Sequence, residues 1–291
     1  MPGPDRHTGS RDGAHAVPGQ NHATAHPDSD EDLKLLQQTV HAAGDIARKF
    51  YGGDYKRWSK DGGSPVTEAD LAVNAFLHDR LTAARPAYGW LSEENPDDPA
   101  RLGKREVFVI DPIDGTVAFL KNRPHFTICA AVVVDGRPAC GVVYNPISEV
   151  LYAARAGGGA QRNGTAIRVG MRDQLENCAM LGDRTQFAGA PWPPMHVQNR
   201  NSIAYRLVLV ADGSADASVS LTPKRDWDLA AADIILHEAG GRLTDAQGGT
   251  LIYNQPVTRQ ASLIGASPRL HARMVDLLRP TPHGDCDNKR D

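Results

Sequence analysis

Val107-Phe108-Val109-Ile110-Asp111-Pro112-Ile113-Asp114-Gly115-Thr116 decides how this chain is read. Four consecutive apolar residues make a short buried strand, and the Asp-Pro that follows predicts its abrupt end. The two aspartates then fall at the carboxyl end of that strand, where the ligand sites of α/β sheets gather. Pro112 fixes the backbone between the acids. Asp111, Asp114 and the Ile113 carbonyl offer hard oxygen donors within one tight turn. Magnesium selects such donors, and two close metals can share one bridging carboxylate. Gly115 lets the backbone approach a ligand closely. If Thr116 opens a short helix toward Phe119, its N–H groups would meet a phosphate oxygen. Asp-Pro and Asp-Gly taken singly are turn formers, but two acids locked to Gly-Thr behind an apolar strand point to a metal.

Working outward, Leu36, Val40, Ala43, Ala47 and Phe50 recur at helical spacing, with Gly52-Gly53 as the stop. A second helix starts at Thr67 and carries Leu71, Ala75 and Leu77 to Leu81. Beyond the acidic turn, residues 126–134 and 139–144 read as two strands joined by a tight turn at Asp135-Gly136, and 150–154 as a third. The second half alternates: strands at 179–182, 215–221 and 263–265, helices at 202–211, 227–239 and 268–278. A hairpin-rich first half and an alternating second half predict a layered α/β fold of two subdomains. The expected division is a disordered N-terminal tail (1–29), an N-terminal α+β subdomain with the metal site (30–165), a C-terminal α/β subdomain (166–280) and a flexible end (281–291). The N-terminal segment has no hydrophobic period, and its histidines (His7, His15, His22, His26) read as solvated tail residues.

Composition excludes several classes. The chain is 41% hydrophobic and 23% charged with a formal net charge of -3, which gives no basic footprint for nucleic acid. Cys129, Cys140, Cys178 and Cys286 are widely spaced, against a zinc site or a disulfide framework. No stretch reaches the roughly 18 apolar residues of a membrane span, and the N-terminus lacks the apolar core of a secretory signal. A cytoplasmic enzyme with reduced thiols is the expectation.

Three more acidic positions could complete a cage around the central turn. Leu91-Ser92-Glu93-Glu94 places two glutamates after an apolar pair. Asp70 closes Thr67-Glu68-Ala69-Asp70, which by itself also fits a helix capping box. Asp228 lies in Trp227-Asp228-Leu229 at a helix start, where an acid also favours the positive dipole end.

The order of these motifs carries the resemblance. Ser64-Pro65-Val66-Thr67-x-x-Asp70, Ser92-Glu93-Glu94, Asp111-Pro-Ile-Asp-Gly-Thr116 and Trp227-Asp228 with Glu238-Ala239-Gly240-Gly241 together resemble the inositol monophosphatase superfamily over about residues 31 to 279. The resemblance implies an αβαβα sandwich with the site between subdomains. It implies that Glu93, Asp111 and the Ile113 carbonyl hold one magnesium, that Asp111, Asp114 and Asp228 hold a second, and that a third sits near Glu93. Asp70 and Thr116, with Glu93, would orient and deprotonate a metal-held water. Gly115 and Thr116, with Asp114 and Asp228, would face the substrate.

The reaction so implied is lithium-sensitive, in-line hydrolysis of a small phosphomonoester without a phosphoenzyme, in a protein whose relatives are often homodimers. Phe119-Leu120-Lys121, Phe126-Thr127-Ile128 and Lys60-Asp61-Gly62-Gly63-Ser64-Pro65 look like the bacterial 3'(2'),5'-bisphosphate nucleotidases. Lys121, Lys224 and Arg225 are candidates for a second phosphate. Val117-Ala118 stand where those nucleotidases carry a basic and an acidic residue, so inositol-1-phosphate and histidinol phosphate stay open as substrates. A binding protein that kept the fold without catalysis is the alternative of another class. All six acid and hydroxyl positions being competent weighs against it.

Overall fold

The computed structural model describes residues 26–60 and 63–279. Helix α1 (Ser29–Phe50) is followed by a small hairpin, β1 (Arg57–Ser59) and β2 (Pro65–Thr67), then α2 (Glu68–Ala84). Next come β3 (Gly89–Ser92), β4 (Glu106–Asp114), α3 (Thr116–Leu120), β5 (Thr127–Val134), β6 (Arg137–Asn145), β7 (Val150–Arg155), β8 (Gly159–Arg162) and β9 (Thr165–Ala166). The second half contributes β10 (Ala179–Leu181), β11 (His196–Gln198), α4 (Ile203–Ala211), β12 (Ala217–Ser220), β13 (Lys224–Arg225), α5 (Asp226–Glu238), β14 (Arg242–Thr244), β15 (Arg259–Gln260), β16 (Leu263–Ala266) and α6 (Pro268–Leu278).

Strands β3 to β9 form one seven-stranded sheet in sequence order, antiparallel except for the parallel β3–β4 pair. Strands β11-β10-β12-β16-β14 form a five-stranded sheet. The apolar runs of β4 and β5 are unbroken because both faces of the larger sheet are covered. Phe108, Ile110, Ile128, Ala130 and Val132 pack on one face against Leu36, Val40, Val73 and Leu77 of α1 and α2. Val107, Val109, Ala131 and Val133 point to the other, against Leu207, Val208, Ala231 and Ile235 of α4 and α5. The period of two along each strand sorts the residues between these two cores. On its far side the five-stranded sheet meets α6, where Met180, Val219 and Ile264 pack against Leu270 and Met274. The layers therefore run helix, sheet, helix, sheet, helix, the sandwich that the motif order implied. Because α4 and α5 come from the second half of the chain and cover the sheet of the first, the halves share one core.

Several expectations are refined. The strand expected to stop before Asp111 continues to Asp114. Of the expected tail, residues 1–25 lie outside the described residues. His26 is 8% exposed, its Nε2 stands 3.1 Å from a Glu106 carboxylate oxygen, and α1 already begins at Ser29. The terminal segment 281–291, with Cys286, also lies outside the described residues. Cys129, Cys140 and Cys178 are buried free thiols. Asp135 (φ 50°) and Gly136 (φ 80°) make the two-residue turn between β5 and β6, both in the left-handed region that such a turn requires. No helix among the described residues is long and apolar enough to cross a membrane.

Candidate active site

Asp111 and Asp114 are three residues apart, so in a regular strand their side chains would point to opposite faces of the sheet. The pairing with β5 is irregular at this place. Asp111 pairs with Cys129 and Asp114 with Thr127, so three steps along β4 match two along β5. That extra residue is a bulge, and it brings both acids to one side. Pro112 fits inside it because a bulge leaves one N–H out of the ladder. Gly115 ends the strand at φ +98° and caps α3. A Cβ there would meet the His125 carbonyl at 3.0 Å and the Ser202 nitrogen at 3.1 Å, so glycine is required both by conformation and by space.

The capping and functional interpretations of the outlying acids turn out to be compatible. Asp70 Oδ2 accepts from the Thr67 backbone N–H at 2.8 Å and from the Thr67 hydroxyl, closing the capping box of α2. Its Oδ1 accepts from the Thr116 hydroxyl at 3.2 Å, and that hydroxyl lies equally near the Ile113 carbonyl. Asp228 Oδ2 accepts from the Arg225 N–H at 2.8 Å at the start of α5. Asp228 thus serves the helix while lining the cleft, and Asp70 serves it while receiving the Thr116 hydroxyl.

Asp111, Asp114 and Asp228 place carboxylate oxygens within 4.8 Å of one another. They line a cleft of about 180 Å³ together with Glu93, Ile113, Gly115, Thr116, Val117, Ser64, Pro65 and Asn201. Glu93 lines the cleft but stands outside that tight trio. Its Oε1 accepts from Lys60 Nζ at 3.0 Å, and the same ammonium donates to Glu94 at 2.7 Å. Asp70 stands behind Thr116, away from the cleft lining. Lys121 is exposed on the turn after α3.

Burial is the first cause that drives the Asp111 carboxyl well above its ordinary pKa, with the charges of Glu93, Asp114 and Asp228 adding to it. Burial likewise lifts Asp228, helped by Asp114. Asp114 is pushed up to about 6, again by burial first, while hydrogen bonds from Ser202 and from the backbone at Ala204 pull it back. A cluster of like charges in a dry setting calls for a counter-cation. Asp111 Oδ2 is more specific: it is buried and has no hydrogen-bond partner. An ionised oxygen left so is costly unless a cation meets it. The donors are all oxygens, which suits a hard divalent ion such as magnesium.

Ser202, Thr127 and Ala204 were not legible as site residues. Ser202 Oγ donates to Asp114 Oδ2 at 2.6 Å, and the Ala204 N–H donates to the same oxygen at 2.7 Å. Ser202 sits where any helix N-cap would sit, and nothing local tells that its partner is 88 residues away. Asn201 beside it lines the cleft.

Kinship supplies the class that this sandwich and its buried all-oxygen cage serve, that of the metal-dependent phosphomonoester hydrolases. The sequence profile of the inositol monophosphatase family matches residues 28–282, and the chain belongs to that family. It is 33% identical to the 3'(2'),5'-bisphosphate nucleotidase CysQ of Aggregatibacter actinomycetemcomitans over 76% of this chain and 88% of that protein. It is also 33% identical to the inositol-1-monophosphatase of Rhizobium meliloti, over 86% of this chain and 97% of that one. Among solved structures, the extragenic suppressor protein suhB of Bartonella henselae superposes with a TM-score of 0.74 at 26% identity, covering 86% of this chain and 98% of that one. The Thermotoga maritima IMPase gives 0.73 at 28% identity, covering 86% and 95%.

Proposed function

We propose that this phosphatase is a magnesium-dependent, lithium-sensitive 3'(2'),5'-bisphosphate nucleotidase that removes the 3'-phosphate of 3'-phosphoadenosine 5'-phosphate. The observation that carries the reading is a set of cations beside the acid cage that make no close ion pair. Arg206, only 8% exposed, hydrogen-bonds to the Arg200 carbonyl and to Asn199 Oδ1. Lys224 Nζ bonds to oxygens of its own turn, Thr222 and Pro223. Among the described residues neither makes an ion pair. Burial pulls the Lys224 pKa down, Asp228 and Asp114 pull it back up, and Arg206 and Arg259 are close enough to depress it further. Like charges gathered in a half-buried place are relieved by an anion, and a bisphosphate supplies one besides the phosphate being cleaved. The CysQ relative, a 3'(2'),5'-bisphosphate nucleotidase by name, supports the reading, and the inositol-1-monophosphatase relative at the same identity makes inositol-1-phosphate the alternative.

In this reading Asp111, Asp114, Asp228, Glu93 and the Ile113 carbonyl would hold two to three magnesium ions. When bound, the metal would screen the phosphate dianion and lower the pKa of a coordinated water. Thr116 gives its hydroxyl proton to Asp70 or to the Ile113 carbonyl, both at 3.2 Å, so its lone pairs are left to accept from the attacking water. Asp70, its carboxyl pKa raised chiefly by burial, is then suited to take up the proton through Thr116. Gly115 and Thr116 would bring their backbone N–H groups to the phosphate oxygens.

Phosphate release with magnesium, with and without lithium, from 3'-phosphoadenosine 5'-phosphate, inositol-1-phosphate and histidinol phosphate tests the substrate. A lithium-sensitive preference for the nucleotide is expected. Preference for either of the others replaces the substrate and keeps the site. No release from any of the three would move a non-catalytic binding role to the front.

A further inference from the structure

A directional chain of hydroxyl groups ends on Asp114. Ser202, Thr127 and Cys129 are each fully buried and lie in line behind that carboxylate. Ser202 Oγ donates to Asp114 Oδ2 at 2.6 Å, accepts from the Tyr205 N–H at 2.9 Å, and lies 3.0 Å from Thr127 Oγ1. Thr127 Oγ1 lies 3.4 Å from Cys129 Sγ. A serine hydroxyl has one proton and two lone pairs. With Asp114 ionised, the single Ser202 proton goes to the carboxylate, so Thr127 must donate to Ser202. The Thr127 proton is thereby used, and the Cys129 thiol donates to Thr127. Every donor in the row points toward the acid.

The bulge in β4 explains why this row of donors exists. Thr127 is the cross-strand partner of Asp114 and Cys129 that of Asp111, and the two share one face of β5. The residues that pair with the two acids therefore also support one of them. At the other end, Ser202 and the Ala204 N–H together engage one carboxylate oxygen, Oδ2, from the start of α4. Two donors on a single oxygen prevent the carboxylate from rotating and hold it for a cation arriving from the cleft.

We infer that Ser202, oriented by Thr127, is a positioning residue for Asp114 that sets the affinity of the site for its divalent cation. The inference rests on the ligand role proposed above for Asp114. Neither Ser202 nor Thr127 lines the cleft, and both are fully buried behind Asp114. Ser202 also caps α4 through Tyr205, so its loss has a purely structural consequence that must be separated from the positioning one.

The test is magnesium titration of the metal-stripped full chain by calorimetry, paired with the magnesium dependence of turnover and the melting temperature without metal. Ser202→Ala should weaken magnesium binding about tenfold, the scale of one hydrogen bond to a charged group, with turnover at saturating magnesium changed about twofold at most. Ser202→Thr, which keeps the hydroxyl, should restore the affinity. Thr127→Val, which leaves the α4 cap intact, should weaken it about threefold, because only the orienting donor is lost. If Ser202→Ala lowers the melting temperature but binds magnesium like the wild type, Ser202 is a helix cap alone and the inference fails. Should that variant not fold, Thr127→Val carries the test, and unchanged affinity there overturns it. Asp114→Asn separates the two levels: if it leaves magnesium binding intact, the ligand role of Asp114 is wrong and the inference falls with it. If only Asp114→Asn weakens binding, the ligand role stands and the positioning role is withdrawn.

Discussion

At the scale of single residues, the site works by giving each carboxylate two tasks. Asp70 closes a helix cap with one oxygen and receives Thr116 with the other. Asp114 gives one oxygen to Ser202 and Ala204 and stands within the acid trio. Such an arrangement makes a neutral isostere informative, since it keeps the shape and removes the charge. Asp114→Asn should cost magnesium-dependent turnover about a hundred- to a thousandfold, the scale on which a single electrostatic stabiliser acts. Its metal-free form should melt above the wild type, because one of three crowded, buried charges is gone. Phosphate release and a melting curve in a chelator check the two halves separately. Near-normal turnover would sink the metal assignment.

At the scale of elements, the bulge in β4 and the glycine behind it place the acids of the cage and Thr116. Gly115→Ala is expected to destabilise the protein by about 2–4 kcal/mol, combining left-handed strain with a backbone clash. It should also lower turnover by about a hundredfold, because α3 and Thr116 are displaced from Asp70. Denaturant unfolding and kinetics measure both, and a silent substitution would mean that the turn relaxes freely. The same elements mark what the sequence could and could not tell. Five of the six helices, the β5–β6 hairpin and the acids of the cage follow from local periodicity, turn chemistry and motif order, while the short helix at Thr116 was open. The bulge does not, because an apolar run followed by Asp-Pro reads as a strand end, and only pairing with Thr127 and Cys129 reveals that it continues. The short pairs β1–β2 and β13–β15 have too few residues to display alternation. Ser202 and Thr127 were invisible as site residues because their partners are distant in sequence and their local roles, a helix cap and a strand position, are ordinary.

At the scale of the whole molecule, the site is a seam. Asp111 and Asp114 come from the large sheet, Asp70 from α2, Glu93 from the end of β3, and Asp228 from α5. Arg101 ties the segment after Glu93–Glu94 to the second half: it is 2% exposed, pairs with Asp97, and donates to Asn254 Oδ1 at 2.7 Å and to the Gln255 carbonyl at 3.1 Å. The Asn254 N–H in turn donates to Asp226, two residues before Asp228. Arg101→Leu strands the hydrogen-bonding groups of Asn254 and Gln255 and should cost about 3 kcal/mol of stability in denaturant unfolding. A loss below about 1 kcal/mol would show that the seam does not depend on this clamp.

The seam also fixes how stability responds to pH and metal. Asp114 titrates near 6 in the folded chain, against an ordinary carboxyl value near 3.9 when unfolded. Between those values the folded state binds more protons than the unfolded one, so the stability of metal-free protein falls as pH rises through that window. For Asp114 alone the fall is on the order of 3 kcal/mol, complete above about pH 6. Asp111 and Asp228, displaced in the same direction, carry the decline further toward neutral pH. In the proposed reading magnesium would need the ionised acids, so its stabilisation should grow as the metal-free protein weakens. At a hundred times its Kd the ion should add about 2.7 kcal/mol. Melting temperatures across pH, in chelator and in saturating magnesium, should therefore diverge from a common value at acidic pH to their widest gap near pH 8. Parallel curves would mean that the buried carboxylates are not where the metal binds.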